Sequence, residues 1–139
     1  MKVNIYWKGS MHFATKTPSG HTISLDAAQE VGGENLGPRP TEILLSAVGT
    51  CSGIDIVDIL KKMRLQVDSF AMEVSGERAE DHPRRFTRVH IHYQLEGNLP
   101  EEKVRRAVQL SVEKYCSVSN SLNAEITSSF EINGQRYES

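Results

Sequence analysis

The chain has 139 residues, 24% charged and 38% hydrophobic, with a net charge of −2 when histidines are neutral. That length fits one domain around one core, spanning residues 1–139, and the balanced charge without a basic stripe excludes nucleic acid as the main partner. No uninterrupted apolar run approaches the roughly 20 residues of a bilayer span and no apolar stretch follows Met1, so a soluble chain without membrane contact or signal peptide is expected, in a reducing cytoplasm.

Residues 2–30 read as short strands joined by turns. Val3-Asn4-Ile5-Tyr6-Trp7 is rich in β-formers, Pro18-Ser19-Gly20 is a turn signal, and His21-Thr22-Ile23-Ser24-Leu25 alternates polar with apolar. Gly32-Gly33 and Gly37-Pro38-Arg39-Pro40 then mark a loop. A long helix is predicted from Thr41, its N-cap, to about Arg64, with Glu42 at the positive end of the helix dipole. Its first half, up to Cys51, is apolar nearly all the way round and is expected to be buried. Asp55, Asp58, Lys61 and Lys62 give the second half a wet face.

A hairpin follows. Phe70, Met72 and Val74 share one face of its first strand, and Val89, Ile91, Tyr93 and Leu95 share one face of the return, with Arg88, His90, His92 and Gln94 opposite. The charged stretch from Gly76 to Arg85, with Pro83, is the connecting loop. Asn98-Leu99-Pro100 opens a second helix, with Glu101 and Glu102 in its first turn. Val104, Ala107, Val108, Ser111, Val112 and Tyr115 form its inner stripe. Cys116 falls at or just past its end, a short further helix is possible over 117–122, residues 125–132 form a last strand, and Asn133-Gly134 is a turn. Strands, long helix, two strands, helix and strand make an α+β order with antiparallel pairing, not alternating βαβ units.

The chain has only two cysteines, Cys51 and Cys116. In a reducing compartment a bridge between them would be transient and catalytic, and the alternative is that both are ordinary buried residues. Gly49 and Gly53 flank Cys51 within the helix, at a cost of roughly 1 kcal/mol each relative to alanine. That cost points either to a ligand or backbone approaching closely, or to tight helix packing alone. Cys116 lies before a possible helical turn, with Ser117 and Ser119 as candidate caps, a setting that lowers a thiol's pKa. His90 and His92 share a strand face at a spacing that chelates, yet that face is polar and reads as solvated. Without a C-x-x-C or H-E-x-x-H motif no metal and no cofactor is expected. His12, His21 and His82 are formal candidates for the base of a Cys–His hydrolase, but no motif sets any of them beside a cysteine.

The stretch Gly37-Pro38-Arg39-Pro40-Thr41-Glu42-Ile43-Leu44-Leu45-Ser46-Ala47-Val48-Gly49-Thr50-Cys51-Ser52-Gly53-Ile54-Asp55 resembles the first-cysteine helix of the OsmC/Ohr superfamily. Glu113-Lys114-Tyr115-Cys116-Ser117-Val118 resembles its second-cysteine segment, and the pair is most similar to the YhfA-like subgroup, as is Ser75-Gly76-Glu77-Arg78. The resemblance implies an OsmC-like fold in which antiparallel sheets wrap around long central helices in an intertwined homodimer. It also implies thiol-dependent reduction of organic hydroperoxides, with Cys51 peroxidatic, Cys116 resolving, and a dithiol or lipoyl-type reductant as the second partner.

This sequence departs from the family's peroxidases in two places. They carry an arginine in the N-terminal strands, whereas the first arginine here is Arg39, which is therefore the candidate cation for Cys51. They carry a glutamate ten residues before the cysteine, where this chain has Thr41, so the candidate carboxylate is Glu42, nine before. The resemblance thus assigns Cys51, Cys116, Glu42 and Arg39 to the catalytic site. The alternative is a non-catalytic dimeric protein that binds a small ligand or senses redox state on the same scaffold.

Overall fold

The computed structural model describes all 139 residues, which form two compact units, 1–44 and 45–139. The first unit opens with an antiparallel meander of β1 (Asn4–Trp7), β2 (Phe13–Lys16) and β3 (Thr22–Leu25). Asn4 faces Lys16 and Trp7 faces Phe13, while Phe13 in turn faces Leu25. The β1–β2 turn is closed by the Trp7 indole N–H donating to Ser10 O at 2.8 Å. The loop after β3 is organised by Asp26, only 3% exposed, whose carboxylate accepts the backbone N–H groups of Ala27, Glu34 and Leu36. Burial alone would raise its pKa; these three donors, in the order Leu36, Ala27, Glu34, and then the nearby His12 outweigh it and leave Asp26 below the ordinary aspartate value.

Helix α1 spans Pro40–Lys62. The expected cap, Thr41, is displaced by two residues. The carbonyl of Arg39 accepts the first helical bond from Ile43 N–H, and its own N–H donates to Glu42 Oε1 at 2.8 Å. Arg39 is therefore the N-cap, Pro40 fills the first helical position where no N–H is needed, and Glu42 at the third reaches back as in a capping box. At the other end Arg64 adopts φ 61°, and Arg64 N–H and Leu65 N–H return to Lys61 O and Leu60 O, a Schellman closure.

In the second unit α1 buries Val48, Gly49, Ser52, Gly53, Ile56 and Leu60 along one stripe. The all-round burial expected before Cys51 is not found: Leu45 and Ala47 are half-buried and Ser46 is exposed. By length and apolar content α1 would be long enough to cross a membrane, although no uninterrupted apolar run of that length occurs in it. Its serines, threonines and aspartates break the run while the average over the helix stays apolar, and its buried stripe joins the protein's own core.

Strands β4 (Ser69–Arg78) and β5 (Phe86–Glu96) pair antiparallel from Ser69↔Glu96 to Arg78↔Phe86. The alternation read from the sequence holds: Val89, Ile91, Tyr93 and Leu95 are buried. Helix α2 (Glu101–Leu110) buries Val104, Ala107 and Val108. It leads to β6 (Glu125–Ile132), which pairs with β5 in parallel, from Arg88↔Glu125 to Leu95↔Ile132. The α+β fold class stands, but one pairing is not antiparallel as expected: the α2 crossover is long enough to bring β6 back in the direction of β5. Asn133 and Gly134, both at positive φ, make a two-residue turn into β7 (Gln135–Glu138), a short edge strand not anticipated from the sequence.

The end of α2 also departs from expectation. Residues Ser111–Tyr115 form one π-helical turn, and Cys116 N–H bonds to Ser111 O at 2.8 Å. The widened turn places Cys116 over Ser111, so that Cys116 is fully buried while Tyr115 is 50% exposed instead of completing the inner stripe.

Candidate functional site

Cys51 sits midway along α1, half-buried, and Cys116 follows the π turn, buried; both are free thiols. Two of the sequence's features bring β4 against this part of the helix. A Cβ on Gly49 would lie 2.7 Å from Val74 Cγ2, and one on Gly53 would lie 2.7 Å from Met72 Cε. The flanking glycines are thus explained by close packing of β4 side chains. Asp55, one helical turn after Cys51, completes a cluster: Cys51 Sγ, Cys116 Sγ and an Asp55 carboxylate oxygen lie within 4.8 Å of one another.

A buried hydrogen-bonded chain supports the cluster from behind. Tyr93 Oη bonds Ser52 Oγ, Ser52 Oγ bonds Ser111 Oγ at 2.9 Å, and Ser111 Oγ reaches Asp55 Oδ2 at 3.0 Å. Since a carboxylate only accepts, Ser111 donates to Asp55. Burial pushes the Tyr93 phenol up to about 12, with the Ser52 hydrogen bond opposing and Cys116 and Asp55 adding to the rise, so Tyr93 stays neutral.

The two thiols are placed in opposite electrostatic settings. For Cys51, burial would raise the pKa, but the Val118 N–H, the Cys116 thiol, and the Ser117 hydroxyl and N–H stabilise the thiolate and bring it below the ordinary cysteine value. Ser117 Oγ stands 3.9 Å from Cys51 Sγ. For Cys116, burial dominates and pushes the thiol up, the Ser119 contacts lower it in part, and proximity to Cys51 raises it further. Ser119 N–H donates to Cys116 Sγ at 3.5 Å, and the Cys116 thiol points to Val48 O at 3.9 Å. The cap of the short 3-10 turn Ser119–Ser121 is therefore the cysteine sulfur, since neither Ser117 nor Ser119 caps it with a side chain.

Arg39 and Glu42 are engaged locally at the helix start. The Arg39 guanidinium donates to Asn35 Oδ1 at 2.9 Å and to Gly37 O at 3.0 Å, while Glu42 accepts Arg39 N–H. The histidine pair is not solvated as expected. His90 bonds Thr127 Oγ1 and Ser129 Oγ, and His92 bonds Ser129 Oγ and lies 3.8 Å from Glu131, all across the β5–β6 pairing. Parallel β6 supplies these partners, which is why the sequence read as antiparallel did not reveal them. The bonds of His90 and His92 go to β6 and not to a cysteine. Sequence reasoning missed Asp55, Ser111 and Ser117 as site residues. For Asp55 the signal was present, four residues after a cysteine on one helix face.

A helix-borne thiol facing a second thiol at a π turn, on this α+β scaffold, defines a class. The family described as OsmC-like protein matches residues 32–131, and the chain belongs to it. Within that class it is similar to protein YhfA of Escherichia coli (strain K12), 38% identical over 135 residues that cover 95% of this chain and 98% of that one. A crystal structure of a hypothetical protein from Aquifex aeolicus VF5 is 34% identical over 95% of this chain and 96% of its own, with a TM-score of 0.78. An organic hydroperoxide resistance protein OsmC from Legionella pneumophila shares the fold at 16% identity, TM-score 0.71, with 94% of this chain and 95% of that chain covered.

Proposed function

We propose that this chain reduces organic hydroperoxides with Cys51 as the peroxidatic and Cys116 as the resolving cysteine. The observation that carries the reading is the juxtaposition of a thiol held below its ordinary pKa with a second thiol held above it, both sulfurs within 4.8 Å. The Cys51 thiolate attacks the distal peroxide oxygen, the O–O bond breaks, and the alkoxide leaves and takes a proton as the alcohol. Cys51 is then a sulfenic acid. Cys116 sulfur attacks it, the S–O bond breaks, the displaced hydroxide takes the Cys116 proton and leaves as water, and a disulfide remains. A dithiol of the lipoyl type reduces that disulfide by exchange.

The N–H groups of Val118 and Ser117 fill the activating role that an N-terminal arginine has in the family's peroxidases. Arg39 and Glu42 act in this scheme as positioning residues that set the start of the helix carrying Cys51. The working form is a homodimer in the cytoplasm. The similarity in fold to a protein named for organic hydroperoxide resistance supports the substrate class.

The test is steady-state consumption of an alkyl hydroperoxide with a dithiol reductant. Cys51→Ser is expected to abolish turnover, and Cys116→Ser to retain the first oxidation but lose recycling by the dithiol. Undiminished turnover in Cys51→Ser would refute the assignment.

A further inference from the structure

We propose that the reduced thiol pair and Asp55 form a binding site for a thiophilic divalent cation, zinc(II) in the first instance. The ligand set is two sulfurs and one carboxylate oxygen, mutually within 4.8 Å. Zinc–sulfur bonds of about 2.3 Å and zinc–oxygen bonds of about 2.0–2.2 Å put neighbouring ligand atoms of a tetrahedron roughly 3.4–3.8 Å apart, so closing the site needs side-chain shifts of an ångström or less. Cys51 and Asp55 share one face of a single helix, and Cys116 is delivered by the π turn and fixed by Ser119 N–H at 3.5 Å. Three protein ligands leave the fourth position to water, the arrangement of an exchangeable site and not of a closed structural one.

The surroundings meet the second requirement of a metal centre, an oriented carboxylate. Ser111 donates to Asp55 Oδ2 at 3.0 Å and is itself held by Ser52, whose hydroxyl is held by Tyr93. The two thiols lose their protons as they bind, and two thiolates with one carboxylate overbalance the charge of a divalent ion by one. Oxygen-preferring magnesium and calcium do not suit a sulfur-majority set. The ion and a Cys51–Cys116 disulfide are mutually exclusive, because both use the same two sulfurs. Occupancy would therefore hold the pair reduced and closed to peroxide. The proposal needs only the reduced thiols and does not depend on the peroxidase reading.

The experiment uses the full chain, reduced and under nitrogen. Zinc(II) is titrated against a chromophoric chelator, and cobalt(II) serves as the spectroscopic probe. One ion per chain is expected, with a thiolate-to-cobalt charge-transfer band and the visible bands of tetrahedral cobalt. Asp55→Asn keeps side-chain size and both thiols, and circular dichroism verifies its fold. It should weaken zinc affinity by at least about tenfold, and Ser111→Ala should weaken it by a smaller factor. Absence of the charge-transfer band, or zinc affinity in Asp55→Asn equal to that of the parent, would overturn the proposal. Neither readout involves peroxide turnover, so its failure is separable from failure of the peroxidase assignment.

Discussion

Cys51 and Cys116 differ chiefly in which donors reach them. Cys51 is half-buried and faces the Val118 and Ser117 N–H groups and the Ser117 hydroxyl; Cys116 is fully buried beside Val48 O. A lowered pKa means that the thiolate, the nucleophilic form, persists at pH values where an ordinary cysteine is protonated. Alkylation of Cys51 by iodoacetamide, followed across pH, should show a midpoint below the ordinary range near 8.5. Ser117→Ala removes one stabilising donor and should move that midpoint upward. A midpoint at or above the ordinary value would show that burial wins over the donors. At this scale the two cysteines were legible because thiols are rare and chemically distinctive. Asp55 was read as part of a solvated helix face because its partners, Cys116 and Ser111, lie more than fifty residues away and are joined to it only by folding. Arg39 and Glu42 were read for their charge, whereas their backbone and capping bonds at the helix start are what the structure displays.

The elements carry the site through close approach. Gly49 and Gly53 let β4 pack onto α1, but the two contacts differ in stiffness. Val74, met by a Cβ at Gly49, is β-branched and has little rotamer freedom, whereas Met72, met at Gly53, is flexible. Either Gly→Ala change gains about 1 kcal/mol of helix propensity, while overpacking costs about 1–3 kcal/mol where the neighbour cannot yield. In urea denaturation Gly49→Ala is expected to be destabilised by about 1 kcal/mol net, and Gly53→Ala to be neutral or slightly stabilised. The reverse order would contradict this packing account. Strand alternation in β4 and β5 was legible because a half-buried strand repeats every two residues. The parallel β6 and the π turn were not. Strand direction follows from the crossover's path, and a π turn costs one residue of phase that the apolar spacing of α2 does not announce.

As a whole, the chain leaves Ile54 and Val57 of α1 65% and 46% exposed, beside a groove lined by Thr50, Gly53, Phe70 and Met72. Apolar surface on the helix that bears Cys51 is what a second copy would cover, consistent with the homodimer we propose. Light scattering should give about twice the 15.5 kDa chain mass. The double variant Ile54→Lys, Val57→Lys should shift toward monomer, and a monomeric parent at micromolar concentration would contradict the assembly. The family could be read from the two cysteine segments together, because their residues surround both thiols. Oligomeric state could not be read from composition, since an exposed apolar helix face and a buried one have the same sequence pattern. The most direct test of the central claim is to mix the reduced chain with one equivalent of an alkyl hydroperoxide and follow intact mass and free thiols. The account predicts consumption of the peroxide, loss of both thiols, a mass lower by two hydrogens, and a peptide map linking Cys51 to Cys116. Intact thiols and unconsumed peroxide would contradict it and leave this scaffold a binding role.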